Sequence, residues 1–486
     1  MTAPLLVPLL GLALAAHGEV GAPRVRADAP DRTRQPAAGP ESELTLPSIR
    51  QFEVRGIKGF LVERPGLPIV QLELSWNLGG ALDPAGKEGM HGLCVDLVGE
   101  GSKRLDKNAL ENAKADLGLR LDLGAGTESS SLTLAVVKSR LEPALALAAE
   151  LLTEPGLRSA DLERLRSRAK ASVVQSRGNA ESAGGRAWAA AFWGRSHPYG
   201  HVAEEGSLEA IRAADCAAVA KLLAPEGAEL LVVGDVTVDE LKPLLEKSLA
   251  SWRGKAPARA RVGPPRGLKG TVFFVDIPGA EQSKVIVGHG GPARAAADYA
   301  ATTVSAQVLG QGLSSRLVQN LREKNGYTYG ASGSFGYRRS GSAFTVQSSV
   351  RTDATGKALT EIKVELAGIH ERPPTDEELR RERDGGLRAL PARFATNAAV
   401  LRSVGELLSY GLPLDTWQKW PAELRAVDGK SAAKAVKDHL QPTQKVVVAG
   451  DRAKVLPELE ALAQSGAFGK DGLVILDADG RPVGEK

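Results

Sequence analysis

Apolar and polar positions along this chain fall into two recurring patterns. The runs PIVQLELSWNLGG (68–80) and KVIVGHGG (284–291) are strand-like, whereas ALENAKADLG, LEPALALAAELL and SADLERLRSRAKASVVQS carry helical spacing. Strands and helices that do not alternate strictly predict an α+β fold with helices packed on one face of a sheet. In GKEGMHGLCVDLVGEGSKR (86–104), Met90, Leu93, Cys94, Leu97 and Val98 repeat at i, i+3, i+4, i+7 and i+8, and Gly101 stops the pattern. This predicts a short amphipathic helix with one buried face.

The pattern then repeats. LVGEGSKR (97–104) matches VLGQGLSSR (308–316), with Gly99 and Gly101 against Gly310 and Gly312. NLGGAL (77–82) matches GHGGPA (288–293), and LLVVGDVTVDELKPLLE (230–246) matches KVVVAGDRAKVLPELE (445–460). Three matches in order, about two hundred residues apart, imply two tandem homologous domains. Between them WRGKAPARARVGPPRGLKG (252–270) is rich in Pro, Gly and Arg and aperiodic, the composition of an exposed linker.

Composition narrows the class. Hydrophobic residues make up 43% of the 486 positions and aromatics only 4%, so the cores are built from Ala, Leu and Val. A net charge of +4 arises from 62 basic and 58 acidic residues spread along the chain, and no basic stripe with interleaved aromatics suggests nucleic acid. MTAPLLVPLLGLALAAHG reads as a secretory signal peptide (1–21) lacking a basic start, followed by a Pro-rich tether (22–44), so the expected location is periplasmic or secreted. No later run is long enough for a membrane span in the mature chain. The two cysteines, Cys94 and Cys216, pair in an oxidising compartment or stay free. Because Cys94 lies on the apolar stripe, a buried free thiol is the preferred reading.

Gly89, the helix and the following Glu-Gly-Ser resemble the active-site helix of the insulinase/pitrilysin peptidases, the family that includes mitochondrial processing peptidase. HPYG (197–200), LVVGDV (231–236) and SSRLVQNLREKNGYTYG (314–330) are similar to family segments in the same order, so the likeness spans about residues 45–475. It implies two α+β domains, each a mostly antiparallel sheet with helices packed on it, at 45–252 and 270–475, with a linker at 253–269 and a tail at 476–486. Active members carry H-x-x-E-H on that helix, two zinc ligands at i and i+4 with a Glu acting as base on zinc-bound water. Here the flanking glycines put Gly92, Val95 and Asp96 at those positions. Sliding the register so that His91 becomes the first ligand leaves Val95 at the second, with Cys94 beside it, and also fails. Where the resemblance requires a later Glu, AKASVVQSRGN (169–179) offers Gln175 and Ser176. His197 and His201 are broken by Pro198 and Gly200, so they are read as part of a structural turn. No metal is therefore expected in this chain.

The second half keeps what the first has lost. In the family an Arg on the 314–324 helix and a Tyr on the following strand bond the substrate carbonyl near the scissile bond. Arg322 and Tyr329 hold those positions, with Tyr327 as the alternative, predicted by period two to share Tyr329's face. Some bacterial relatives work as pairs, one chain with the zinc motif and one with only the Arg/Tyr pair. The resemblance thus implies a non-catalytic subunit, inactive alone. Its expected partner is a related zinc-bearing chain in a heterodimer acting on peptides. The alternative is a peptide-binding or scaffold protein with no peptidase role.

Overall fold

The strands differ in how they are covered, and this sets the architecture. β3 (Ile69–Trp76) alternates, burying Val70, Leu72, Leu74 and Trp76 while Gln71, Glu73 and Ser75 stay half-buried. β6 (Glu229–Gly234) is buried on both faces from Leu230 onward. The run Leu230–Val233 is apolar without alternation, so it requires a cover on each side of the sheet. A computed structural model describes residues 45–260, 262–441 and 444–484. The expected signal peptide and tether lie outside the described residues. From Leu46 onward the described residues form one compact unit.

Two six-stranded sheets organise that unit. The first contains β1 (Arg50–Val54), β2 (Ile57–Glu63), β3, β4 (Arg120–Ala125), β5 (Ser130–Val137) and β6, in the order β1-β2-β6-β3-β5-β4. The second contains β7 (Val272–Asp276), β8 (Gln282–Gly290), β9 (Thr328–Arg338), β10 (Gly341–Arg351), β11 (Lys445–Gly450) and β12 (Leu473–Leu476), in the order β12-β7-β11-β8-β10-β9. Both are antiparallel except at β2–β6 in the first and at β7–β11 and β7–β12 in the second. The two strands ending in Gly-Asp, β6 and β11, hold the same position, each parallel to one neighbour and antiparallel to the other. The repeat seen in the sequence is therefore a repeat of topology.

On one face each sheet packs its own half's helices. Met90–Val98 and Leu141–Thr153 bury Leu93, Leu97 and Leu151 in the first core, and Thr355–Glu371 buries Leu359 and Ile362 in the second. The opposite face is covered by a helix from the other half. Val400 and Val404 of Asn397–Tyr410 pack on Phe60, Val62, Leu231 and Val233. In return Ala183 and Ala187 of Ala180–Trp188 pack on Phe273, Val275, Ile286 and Val447. This exchange explains why the central strands read as unbroken apolar runs. It also means that neither half buries its sheet alone.

Two further segments tie the halves together. The 253–269 connection is exposed over much of its length but is anchored: Arg266 N–H bonds Trp193 O (2.8 Å), Leu268 N–H bonds Ala191 O (3.0 Å), and Ala256 is buried. Past β12, Asp479 turns back onto the first half. Its carboxylate accepts from Arg177 (2.8 and 3.0 Å) and from Arg186, and its own side chain is only 8% exposed.

The cysteines are bonded to each other, which corrects the expectation of a free thiol. Cys94 and Cys216 have Cα atoms 4.6 Å apart and are fully buried. The sequence stripe placed Cys94 in the core correctly. It could not show that the helix Ala213–Leu222 packs across Met90–Val98 and brings Cys216 to the same spot.

Candidate functional site

Gly89, in the left-handed region (φ +95°), starts the Met90–Val98 helix, and Asp83 secures that start. One Asp83 oxygen accepts from Gly89 N–H (2.7 Å). The other accepts from His91 N–H (2.9 Å) and contacts His91 Nδ1 (2.6 Å). Both side chains are 3% exposed, so His91 is committed to a buried contact and is turned away from any ligand. Gly92 and Asp96, one turn apart, line an open cleft of about 630 Å³ between this helix, β4 and the helix Ser159–Arg177. Val95, where the family has its base, is 1% exposed and belongs to the apolar core. Burial, the Glu100 carboxylate and, in opposition, Arg168 act on Asp96, and the net effect raises its pKa.

Across the cleft the helix presents Arg168, Ala169, Ser172 and Val173. This corrects the reading from sequence, which placed Gln175 and Ser176 at the missing carboxylate. Gln175 is exposed, and Ser176 Oγ bonds back to Val173 O (2.7 Å). An offset of three residues on a helix turns a side chain by about 300°, and motif counting alone did not fix that rotation. Among the described residues no three His, Cys, Asp or Glu side chains converge to hold a metal ion. His197 works in its turn: Nδ1 accepts Tyr199 N–H (3.1 Å), so Nε2 carries the proton donated to Gly263 O (3.0 Å). His201 Nδ1 lies 3.3 Å from Gly80 O.

Sequence reasoning missed the contact that joins this cleft to the second half. The turn between β9 and β10 inserts Arg339 and Ser340 against the first half. Glu128 accepts Arg339 N–H (3.1 and 3.2 Å) and the Tyr199 hydroxyl, Tyr199 Oη accepts Ser340 N–H (3.2 Å), and Arg339 reaches Asn77 Oδ1 (2.6 Å). Burial, then Arg259, lower the Arg339 pKa from its ordinary value, while Glu128 opposes the shift. Burial and Glu128 push Tyr199 up to about 12, so its hydroxyl stays a donor. The available signal was the pair Arg338-Arg339 in a Gly-Ser turn, together with the tyrosine of HPYG.

Arg322 lies in wide helical turns (Gln319–Lys324) that follow the short helix Arg316–Val318. Its side chain is 42% exposed, and its ion pair is to the adjacent Glu323 (3.4 Å). Gly326 (φ +64°) ends the helical segment as expected. Tyr327 and Tyr329, however, differ in burial. Ser348 pairs with Ala331 while Val350 pairs with Thr328, so Tyr329 and Gly330 together oppose Ser349 in a bulge. Thr328 Oγ1 fixes it, accepting Gly330 N–H (3.1 Å) and donating to Ser349 O (2.8 Å). Tyr327 packs on the second core, while Tyr329 projects with 87% of its surface exposed. From Tyr329 to the docked turn β9 runs nine residues, roughly 30 Å.

Comparison with known proteins agrees with this architecture. Residues 216–385 match the model of the peptidase M16 inactive domain. An uncharacterized zinc protease of Mycobacterium leprae is 28% identical over 233 residues, which cover 46% of this chain and 52% of that relative, so the match spans about half the relative's length. Among solved structures, the peptidase M16 inactive domain from Pseudomonas fluorescens superposes with a TM-score of 0.76 at 24% identity, over 83% of this chain and 98% of that one. A protease from Helicobacter pylori gives 0.71 at 17% identity over 83% and 100% of the two chains. The periplasmic protease PqqL from Escherichia coli gives 0.71 at 15% identity, over 87% of this chain and 49% of that one. With the duplicated topology and with Gly92, Val95 and Asp96 on the helix, the chain is similar to the M16 peptidases, the insulinase/pitrilysin family, with residues 216–385 matching the inactive domain and a degenerate zinc motif in the first half.

Proposed function

We propose that this protein is the non-catalytic subunit of a two-chain periplasmic zinc endopeptidase. In this reading it encloses part of the peptide substrate and supplies Arg322 and Tyr329 to the active site of a zinc-bearing partner. The observation that carries the reading is Tyr329, an aromatic residue 87% exposed on a bulge roughly 30 Å along β9 from the turn that docks on the first half. An exposed tyrosine held by a bulge is suited to reaching a site on another chain. A phenol and a guanidinium aimed at a scissile carbonyl stabilise the oxyanion that forms when water attacks. Zinc belongs to the partner in this scheme. The buried Cys94–Cys216 bond supports an oxidising compartment.

The test reconstitutes the pair from this chain and a relative carrying an intact H-x-x-E-H, then follows cleavage of a quenched peptide. Tyr329→Phe keeps the ring and removes the hydroxyl, and should lower kcat by about 10²–10³ without disturbing assembly or the partner's zinc. Arg322→Ala should act in the same direction. Wild-type rates from both variants in a properly sized complex would leave the scaffold reading, in which the chain binds peptide or partner without serving catalysis.

A further inference from the structure

A second cleft, of about 590 Å³, lies where the Ala180–Trp188 helix of the first half crosses β9 and β10 of the second. Gly185 and Gly336 leave its floor without side chains, Trp188 forms one wall and Arg338 another. Gly288 keeps that tryptophan in place, since a Cβ there would stand 2.9 Å from its ring. Thr127 also lines a neighbouring hollow that includes Gly92 and Tyr199.

The cationic side chains around this junction mostly have hydrogen-bonding partners. Lys284 is paired with Glu181 (2.6 Å), Arg294 with Glu406 (2.8 Å), and Arg339 with Asn77 and the Glu128 carbonyl. Arg338 has no acidic partner among the described residues. Its guanidinium is stacked 4.8 Å from the Tyr199 ring centre and 5.8 Å from that of Trp193. Stacking fixes the plane of the group while leaving its edge N–H groups free for a bidentate carboxylate. Glu128, which also lines the cleft, is already occupied by the Tyr199 hydroxyl and Arg339 N–H.

We propose that this cleft receives an acidic residue of a bound peptide, its carboxylate on Arg338 and the adjoining chain against Trp188. The proposal rests on the peptide-binding part of the reading above and adds a substrate preference to it. Affinity selection on the full chain tests it, using two pools of unstructured decapeptides identical except for a fixed central Glu or Gln. A bidentate charged contact predicts about 10- to 100-fold enrichment of the Glu pool at low salt, shrinking as ionic strength rises. Arg338→Gln should abolish the preference while still retaining the Gln pool, and Arg338→Lys should keep only part of it. Equal retention of both pools by the wild-type chain would overturn the acidic subsite and leave peptide binding standing. Retention of neither pool would overturn both.

Discussion

The Cys94–Cys216 bond offers the sharpest quantitative test of the structure, because it ties the degenerate helix to a helix far away in sequence. The perturbation is Cys94→Ala with Cys216→Ala. Alanine is chosen because both sites are fully buried and a serine hydroxyl would have no partner there. The bridge spans 122 residues, and closing a loop of that length removes unfolded-state entropy worth about 5 kcal/mol at 25 °C. Bridges commonly deliver less than this bound, so a loss of about 3–5 kcal/mol is expected. For a single unit of about 440 residues this lowers the melting temperature by about 3–5 °C. The assay is thermal unfolding followed by circular dichroism, on protein prepared in an oxidising compartment. Thiol titration of the unfolded wild-type chain should find no free thiol before reduction and two after. Two free thiols before reduction, or a variant melting within about 2 °C of wild type, would refute the reasoning and weaken the case for export.

Other expectations follow from single sites. Gly92→His, Asp96→His and Ser172→Glu together should bind about one zinc by metal analysis, because Gly92 has open space around a Cβ and all three positions line one cleft. Omitting Ser172→Glu should weaken binding, and a triple variant without zinc would contradict the mutual placement of the two helices. Asp479→Ala strips Arg177 and Arg186 of their shared carboxylate and should cost about 3 kcal/mol, read as a lower melting temperature and faster proteolysis near the C-terminus. Burial raises the Glu378 pKa, but Arg316 and the Thr375 backbone N–H outweigh it and hold the group at about 2. Its folded pKa is depressed, so its stabilisation is present above the ordinary carboxylate value and is lost as pH falls from about 4.5 toward 2. Glu378→Gln should flatten acid unfolding measured across that window.

The sequence by itself determined what depends on local period and residue type. The apolar stripe of Met90, Leu93, Cys94, Leu97 and Val98 forms a buried helical face as expected, and Gly326 ends its helix. The matched Gly-Asp strands occupy matched sheet positions because identical flanking patterns impose identical pairings. The degeneracy of the zinc motif was also legible, since Gly92 carries no ligand atom, Val95 cannot act as a base, and Asp96 alone does not make a site. Tertiary structure decided everything that depends on rotation or on distant partners. Whether Ser172 or Gln175 faces the cleft depends on how one helix is turned against another. That Tyr329 projects while Tyr327 packs inward depends on what lies beside each side chain, since the second core covers Tyr327 and leaves Tyr329 exposed. The joining of Cys94 to Cys216, the cover each half lends the other's sheet, and the seat of Arg338 between two aromatic rings all unite residues many positions apart. Such contacts leave no periodic trace in the chain, because they are made by elements whose local patterns record that a face is buried but not which partner buries it.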